Sequence, residues 1–220
     1  MLEDERMAAY LHSLDPVLPE GLYALEKSAL EREIPIIRRS TQSLLRFLIR
    51  KARPLRILEF GTAVGFSALF MRLYQDPSGE IVTIEKVPAK IAEAKEHLRE
   101  MDPEGAIRLL EGDAAEVLED LVQAGEVYDM VFLDAAKAQY PAYLVPIRRL
   151  LAPGGLLVSD NVLQDGTVAE SRFAVTRRDR TIHSRMREFL HQLTHDEVFT
   201  TVILPVGDGV TLSVKERVEE

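Results

Sequence analysis

Apolar and polar positions along this chain keep one rhythm for most of its length: a short β-rich run, then a longer stretch with apolar residues at helical spacing. The first fifty residues lack the short runs. Residues 2–14 and 20–33 carry apolar side chains at helical intervals among charges, and Asp15-Pro16 and Pro19 break them apart. Residues 41–50 predict a third helix, with Leu44, Leu45, Leu48 and Ile49 on its apolar side. The alternation then begins with RILEF at 56–60, IVTIE at 81–85, a run at 107–110, YDMVFLD at 128–134, and 156–160 after the turn Pro153-Gly154-Gly155. Helices are predicted between these runs: from about Ser67, over 89–101, 114–124 and 139–151, and later over 180–193. The ending differs, because 199–204 and 210–214 flank Gly207-Asp208-Gly209 and read as an antiparallel hairpin. Parallel strands with helical crossovers followed by an antiparallel pair predict an α/β, Rossmann-like fold: a doubly wound, mostly parallel sheet with a mixed edge. The expected division is one domain over residues 1–220, with an N-terminal helical segment (1–51) and an α/β core (52–220).

Composition changes this picture only a little. With 220 residues, 46% of them hydrophobic, the chain can bury a sizeable single core. No apolar run is long enough to span a bilayer, so no membrane partner is expected. Residues 1–10 are acidic and lack the apolar core of a secretory signal. There is no cysteine, which excludes disulfides and thiolate metal sites and leaves the cytoplasm as the default address. A net charge of −9 argues against a generic nucleic-acid coat.

Ligands of doubly wound sheets sit beyond the carboxyl ends of the strands. In this chain the predicted strands end, or are followed, by Glu59-Phe60-Gly61, Glu85, Asp113, Asp134 and Asp160-Asn161. Any one acid there is most simply a helix cap or a solvated loop residue. An acid after each of five strands is poorly explained by capping. The first loop, Gly61-Thr62-Ala63-Val64-Gly65, spaces its glycines G-x-x-x-G and puts Ala63 where a dinucleotide fingerprint needs glycine. That favours a nucleoside without a diphosphate and disfavours a nicotinamide oxidoreductase. Glu85 is placed to accept from ribose hydroxyls. Asp113 is placed at an adenine amino group or as the N-cap of the helix from Ala114, or both.

Asp134 and Asp160-Asn161 end runs expected to be neighbours in the sheet. Two carboxylates and an amide oxygen form a hard, all-oxygen set suited to magnesium over zinc. His191 and His195 are spaced i, i+4, but Gln192 follows His191, so they read as solvated helix residues. Lys137, three residues beyond Asp134, is either a surface lysine or a general base. Beside a bound cation and a sulfonium its ammonium form is disfavoured, which suits the second role.

These segments resemble a known family. EFGTAVGFS, TIEK, GDA, FLDAAK and SDN look like the motifs of metal-dependent O-methyltransferases of the catechol and caffeoyl-CoA type, over most of the chain from Ile34 onward. Phe60 stands where that family usually has an aliphatic residue. The resemblance implies the S-adenosylmethionine methyltransferase fold and S-adenosyl-L-methionine and Mg2+ as cofactors. It implies Asp134, Asp160 and Asn161 as metal ligands, and Lys137, with Asp134, as the catalytic group. It also implies a cofactor pocket of Ile37, Glu59, Gly61, Ser67, Glu85, Asp113, Ala114 and Asp134, and a homodimer. Within the family, IPII at 34–37, FLDAAKAQY, SDNVL and LPVGDG are most similar to bacterial tRNA 5-hydroxyuridine methyltransferases.

The metal triple asks for an acceptor with two adjacent oxygens. A catechol offers two hydroxyls, and 5-hydroxyuridine offers its O5 hydroxyl beside the O4 carbonyl. The stretch holding Arg172, Arg177, Arg178, Arg180, Arg185 and Arg187 contains one acid, Asp179. It is either a solvated helix face or a phosphate-contacting patch, with Arg177, Arg178, Arg180 and Arg185 as the expected tRNA contacts. The first expectation is therefore methylation of 5-hydroxyuridine in a tRNA anticodon. The alternative is a small-molecule O-methyltransferase acting on catechol-like or caffeoyl-CoA-like phenols.

Overall fold

A computed structural model describes residues 5–217; residues 2–4 of the first predicted helix lie outside them. Three helices open the described chain: α1 (Glu5–Ser13), α2 (Glu20–Glu31) and α3 (Arg39–Ala52). The alternating part follows as β1 (Arg56–Phe60), α4 (Phe66–Tyr74), β2 (Glu80–Glu85), α5 (Pro88–Met101), β3 (Ile107–Glu111), α6 (Ala114–Gln123), β4 (Tyr128–Leu133), α7 (Tyr140–Leu150) and β5 (Leu151–Ser159). The chain closes with α8 (Arg180–Thr194), β6 (Phe199–Leu204) and β7 (Val210–Lys215). Short 3-10 turns occupy Lys137–Gln139 and Gln164–Ala169.

The strands form one sheet in the order β3-β2-β1-β4-β5-β7-β6. Strands β1 to β5 run parallel, and β7 is antiparallel to both β5 and β6. This is the expected doubly wound sheet with its C-terminal antiparallel pair. Strand β1 lies between β2 and β4, so the chain reverses its direction of travel across the sheet there, and a crevice opens beyond the strand ends.

Both faces of the sheet are covered, which explains why the strands read as nearly continuous apolar runs. Leu58, Phe60, Val131 and Leu133 face a layer that includes Leu118 of α6, Tyr143 and Ile147 of α7, and Phe189 of α8. Ile57, Met130 and Phe132 point the other way, against Leu25 of α2, Leu45 and Ile49 of α3, and Phe70 of α4. Helices α2 and α3 therefore share a core with the sheet.

One expectation changes. Pro153-Gly154-Gly155 does not precede β5 but lies inside it. Tyr128 pairs with Leu151 and Met130 with Leu156, so the turn is a bulge. Gly154 has φ 80, and a Cβ on Gly155 would lie 2.8 Å from the Ala152 carbonyl, so the backbone crowds there as only glycine permits.

Hydrogen bonding between strands continues past the strand ends. The Asp134 amide donates to the Phe60 carbonyl (3.2 Å) and the Asp160 amide to the Leu133 carbonyl (3.0 Å). Gly61 sits at the closest approach: with φ 96, a Cβ there would be 2.1 Å from the Asp134 carbonyl oxygen. Gly61→Ala should therefore displace the Asp134 segment and cost about 2–4 kcal/mol in urea unfolding. Wild-type stability in that variant would show that the approach is not tight.

Candidate active site

A cavity of about 670 Å³ opens beyond the carboxyl ends of the parallel strands. Residues 35–38, between α2 and α3, form part of its wall, with Ile37 buried. Of the residues singled out from the sequence, Ile37, Gly61, Ser67, Glu85, Asp113 and Ala114 line the cavity. So do Asp134, Lys137, Asp160 and Asn161.

Glu59 is the exception, since it is fully buried beneath the wall. Its Oε2 accepts from Thr83 Oγ1 (2.6 Å), Thr62 Oγ1 lies 2.6 Å from the same Thr83 hydroxyl, and Oε1 has no hydrogen-bond partner. Burial raises the Glu59 carboxyl to about 7, against the lowering effect of the Ser67 and Thr83 hydroxyls; the Glu85 charge adds to the rise. In this structure Glu59 braces the first loop from below.

That loop is shaped by backbone turns of left-handed sign at Gly61 (φ 96), Ala63 (φ 46) and Gly65 (φ 88). Ala63 is costly in that conformation. It is held by its amide, which donates to Glu85 Oε2 (3.0 Å). The other Glu85 oxygen accepts from the amides of Lys86 and Val87, both at 2.9 Å. Asp113 takes both roles open to it in sequence. It lines the cavity and caps α6 through the Ala115 amide (3.0 Å), and this bond together with Lys86 Nζ at 3.1 Å lowers its carboxyl below the usual value.

At the other end, β4 and β5 deliver Asp134 and Asp160-Asn161 side by side. Burial raises Asp134 to about 6, with the Glu59 charge adding to it. Burial likewise raises Asp160 to about 7, followed by the charge of Asp134. Buried in this way, both carboxyls ionise at higher pH than exposed ones, and a bound cation would favour their charged forms. Asp160 Oδ1 accepts from the Asn161 amide (2.8 Å), and Thr41 Oγ1 of α3 stands 3.5 Å from it. Asn161 is itself left-handed (φ 57), a conformation asparagine tolerates better than most residues. Among the described residues no cluster of three or more His, Cys, Asp or Glu groups forms a metal site, so the candidate set is two carboxylates and one amide.

Two contributors escaped sequence reasoning. The Tyr140 hydroxyl, fully buried, lies 3.1 Å from both the Leu133 and Asp160 carbonyls and accepts from the Ala135 amide at 3.4 Å, fastening the ends of β4 and β5. Asp208, read only as a turn residue, is buried in the cavity wall, 3.6 Å from Lys137 Nζ. Its flanking glycines signalled the turn, and nothing local signalled the inward carboxylate.

The arginine-rich stretch is not brought into the site. Arg177, Arg178, Arg180 and Arg185 are not part of the cavity wall. Arg180 Nε donates to the Val175 carbonyl, Arg185 pairs with Glu188 at 2.9 Å, and Arg187 reaches the Val168 carbonyl. Arg177 and Arg178 are exposed.

A doubly wound sheet with a nucleoside-type loop at its switch point and an acid pair at the neighbouring strand ends defines a methyltransferase class of site. The family model for O-methyltransferases matches residues 13–216, so the chain belongs to the O-methyltransferase family. The enzyme class expected from the sequence, S-adenosylmethionine-dependent O-methyl transfer, stands. O-methyltransferase ankF of Aspergillus thermomutatus is 35% identical over 182 residues, covering 76% of this chain and 73% of that protein. Catechol O-methyltransferase of Niastella koreensis is 31% identical, covering 76% of each. The crystal structure of the O-methyltransferase TomG of Streptomyces achromogenes, in complex with S-adenosylmethionine, superposes with a TM-score of 0.84 at 28% identity, over 99% of this chain and 100% of that one.

The buried Glu59 gives a pH prediction. Folded, it keeps its proton up to about 7, whereas unfolded it ionises in the ordinary carboxylate range. Between those limits the folded state holds the extra proton, so its contribution to stability falls as pH rises. The stability of wild type relative to Glu59→Gln should drop by up to about 1.4 kcal/mol per pH unit across that window. A difference independent of pH in urea unfolding would mean the carboxyl titrates normally.

Proposed function

We propose that this chain is a divalent-metal-dependent O-methyltransferase whose acceptor is a small phenol with two adjacent oxygens, of catechol or caffeoyl-CoA type. The observation that carries this is the placement, in one cavity, of Asp134, Asp160 and Asn161 with Lys137 beside the nucleoside-type loop. The cavity volume lies within the range of about 300–1,000 Å³ typical of small-molecule sites. The donor set is all oxygen and fits magnesium; a bound cation would offset the burial that raises both carboxyls.

When bound, S-adenosylmethionine supplies a methyl on cationic sulfur, and the metal polarises the acceptor oxygens it binds. Glu85 and Asp113 would receive the nucleoside end, and Ser67 and the first loop the amino-acid end, since all line the one cavity. Asp134, Asp160 and Asn161 would hold the cation, and through it the orientation of the acceptor. Lys137 accepts the acceptor's hydroxyl proton. With the cofactor bound, the oxygen lone pair so freed would form the new bond to the methyl carbon, and the carbon–sulfur bonding pair would leave with sulfur, giving a neutral thioether.

This reverses the order of acceptors expected from the sequence. Catechol O-methyltransferase activity is named in a relative covering 76% of the chain, while the arginines assigned to tRNA stand outside the cavity. The 5-hydroxyuridine reading remains second, supported by the exposure of Arg177 and Arg178. Labelled S-adenosylmethionine should be turned over with a catechol panel plus magnesium, and not after chelation. Labelling of tRNA lacking the modification, without turnover of any catechol, would restore the other order.

Asp134→Ala and Asp160→Ala should each lower turnover by about a thousandfold, the several kcal/mol of lost polarisation. Near wild-type rates without metal would remove the metal from the mechanism. Because the acids must be ionised to take the cation, the rise in Tm on adding magnesium should be small at pH 5.5 and grow through pH 8. An equal rise at both pH values would place the cation elsewhere.

A further inference from the structure

We propose that Asp208 is the positioning residue for Lys137, holding its amine where the acceptor's proton is released. The inference rests on the reading of Lys137 as the base.

The turn between β6 and β7 is built to present this carboxylate inward. Gly207 (φ 58) and Gly209 (φ 84) flank Asp208, both in the left-handed region. A Cβ on Gly209 would meet the Leu163 side chain at 2.3 Å, so the turn is seated tightly on the segment after β5. That seat is hydrogen-bonded along its length. The Val162 amide donates to the Gly209 carbonyl (3.0 Å) and the Leu163 amide to the Asp208 carbonyl (2.9 Å). The Asp165 amide donates to Asp208 Oδ1.

One carboxylate oxygen therefore has a structural duty, and the backbone is already tied down without it. The other oxygen, Oδ2, faces Lys137 Nζ at 3.6 Å. The Asp208 side chain is 5% exposed against 31% for Lys137, so the acid is the fixed partner and the lysine the adjustable one. A pair with one desolvated member is screened far less than a surface pair. Lysine has four rotatable bonds and lies three residues beyond Asp134, on a single 3-10 turn that fixes its backbone but not its amine. An anchored carboxylate on the opposite wall supplies the missing constraint. Arg38 Nη2, 3.0 Å from Asp165 Oδ1, ties the same segment to the N-terminal side of the cavity.

Asp208→Asn keeps an oxygen for the Asp165 amide and removes the charge facing Lys137. Its kcat should fall about thirtyfold, with acceptor KM and S-adenosylmethionine affinity within about twofold of wild type. In a Lys137→Ala background the same substitution should change kcat by less than about twofold. Equal losses in both backgrounds would show that Asp208 only holds its loop, and would leave the proposed reaction intact. Acetic anhydride labelling read by mass spectrometry needs no acceptor. Lys137 should be modified about threefold faster in Asp208→Asn than in wild type, relative to Lys86 and Lys90. An unchanged rate overturns the proposal. If wild type turns over no small phenol, the acceptor reading fails while the labelling still decides the role of Asp208. Should Asp208→Asn not fold, Asp208→Ser, whose hydroxyl also accepts the Asp165 amide, takes its place in both measurements.

Discussion

Everything in this site depends on two carboxylates forced together at the ends of adjacent parallel strands. Asp134 and Asp160 are the last rungs of the ladder linking β1, β4 and β5, through amide bonds to Phe60 and Leu133. Their backbones cannot relax apart without unpairing the sheet. Burial between the apolar layers on both faces raises both carboxyls, and the Asp134 charge adds to the rise at Asp160. Tyr140 strengthens the arrangement by bridging the same two strand ends. The fold thus holds two desolvated carboxyls at the carboxyl edge of the sheet, where bulk water cannot solvate their charges.

The neighbouring end of the cavity answers a different demand. There the backbone must turn sharply and leave room, so left-handed residues follow one another at Gly61, Ala63 and Gly65. The strain at Ala63 is offset by the Glu85 carboxylate, which gathers three amides. Glu59, under the loop, adds a second layer of support through Thr83, whose hydroxyl also meets that of Thr62. Glu59, Glu85 and Asp113 thus all brace the structure, the last two from the cavity wall, which a series of five strand-end acids does not reveal by itself.

The walls are completed from parts of the chain far apart in sequence. Ile37 and Arg38 come from the segment before α3 and Asp208 from the last hairpin, while Thr41 of α3 backs Asp160 from behind the wall. None belongs to the alternating strand and helix units. They reach the cavity because the N-terminal helices join the core on one face, and because β7 pairs antiparallel with β5 and brings the final turn back across the strand ends.

The sequence by itself determined the sheet class, the hairpin ending and the strand-end acids. Those follow from local chemistry: β-rich runs bounded by turn residues, and polar side chains immediately after them. It also placed Lys137 near Asp134, because three residues leave little freedom. It misplaced the Pro153-Gly154-Gly155 turn, since a bulge within a strand and a turn before one use the same residues. Only the tertiary structure decided that Glu59 lies under the pocket, that Asp208 faces Lys137, and that the arginines keep off the cavity wall. Each depends on which distant strand or loop packs opposite, and pairing between segments far apart in the chain leaves no local signal in the order of residues.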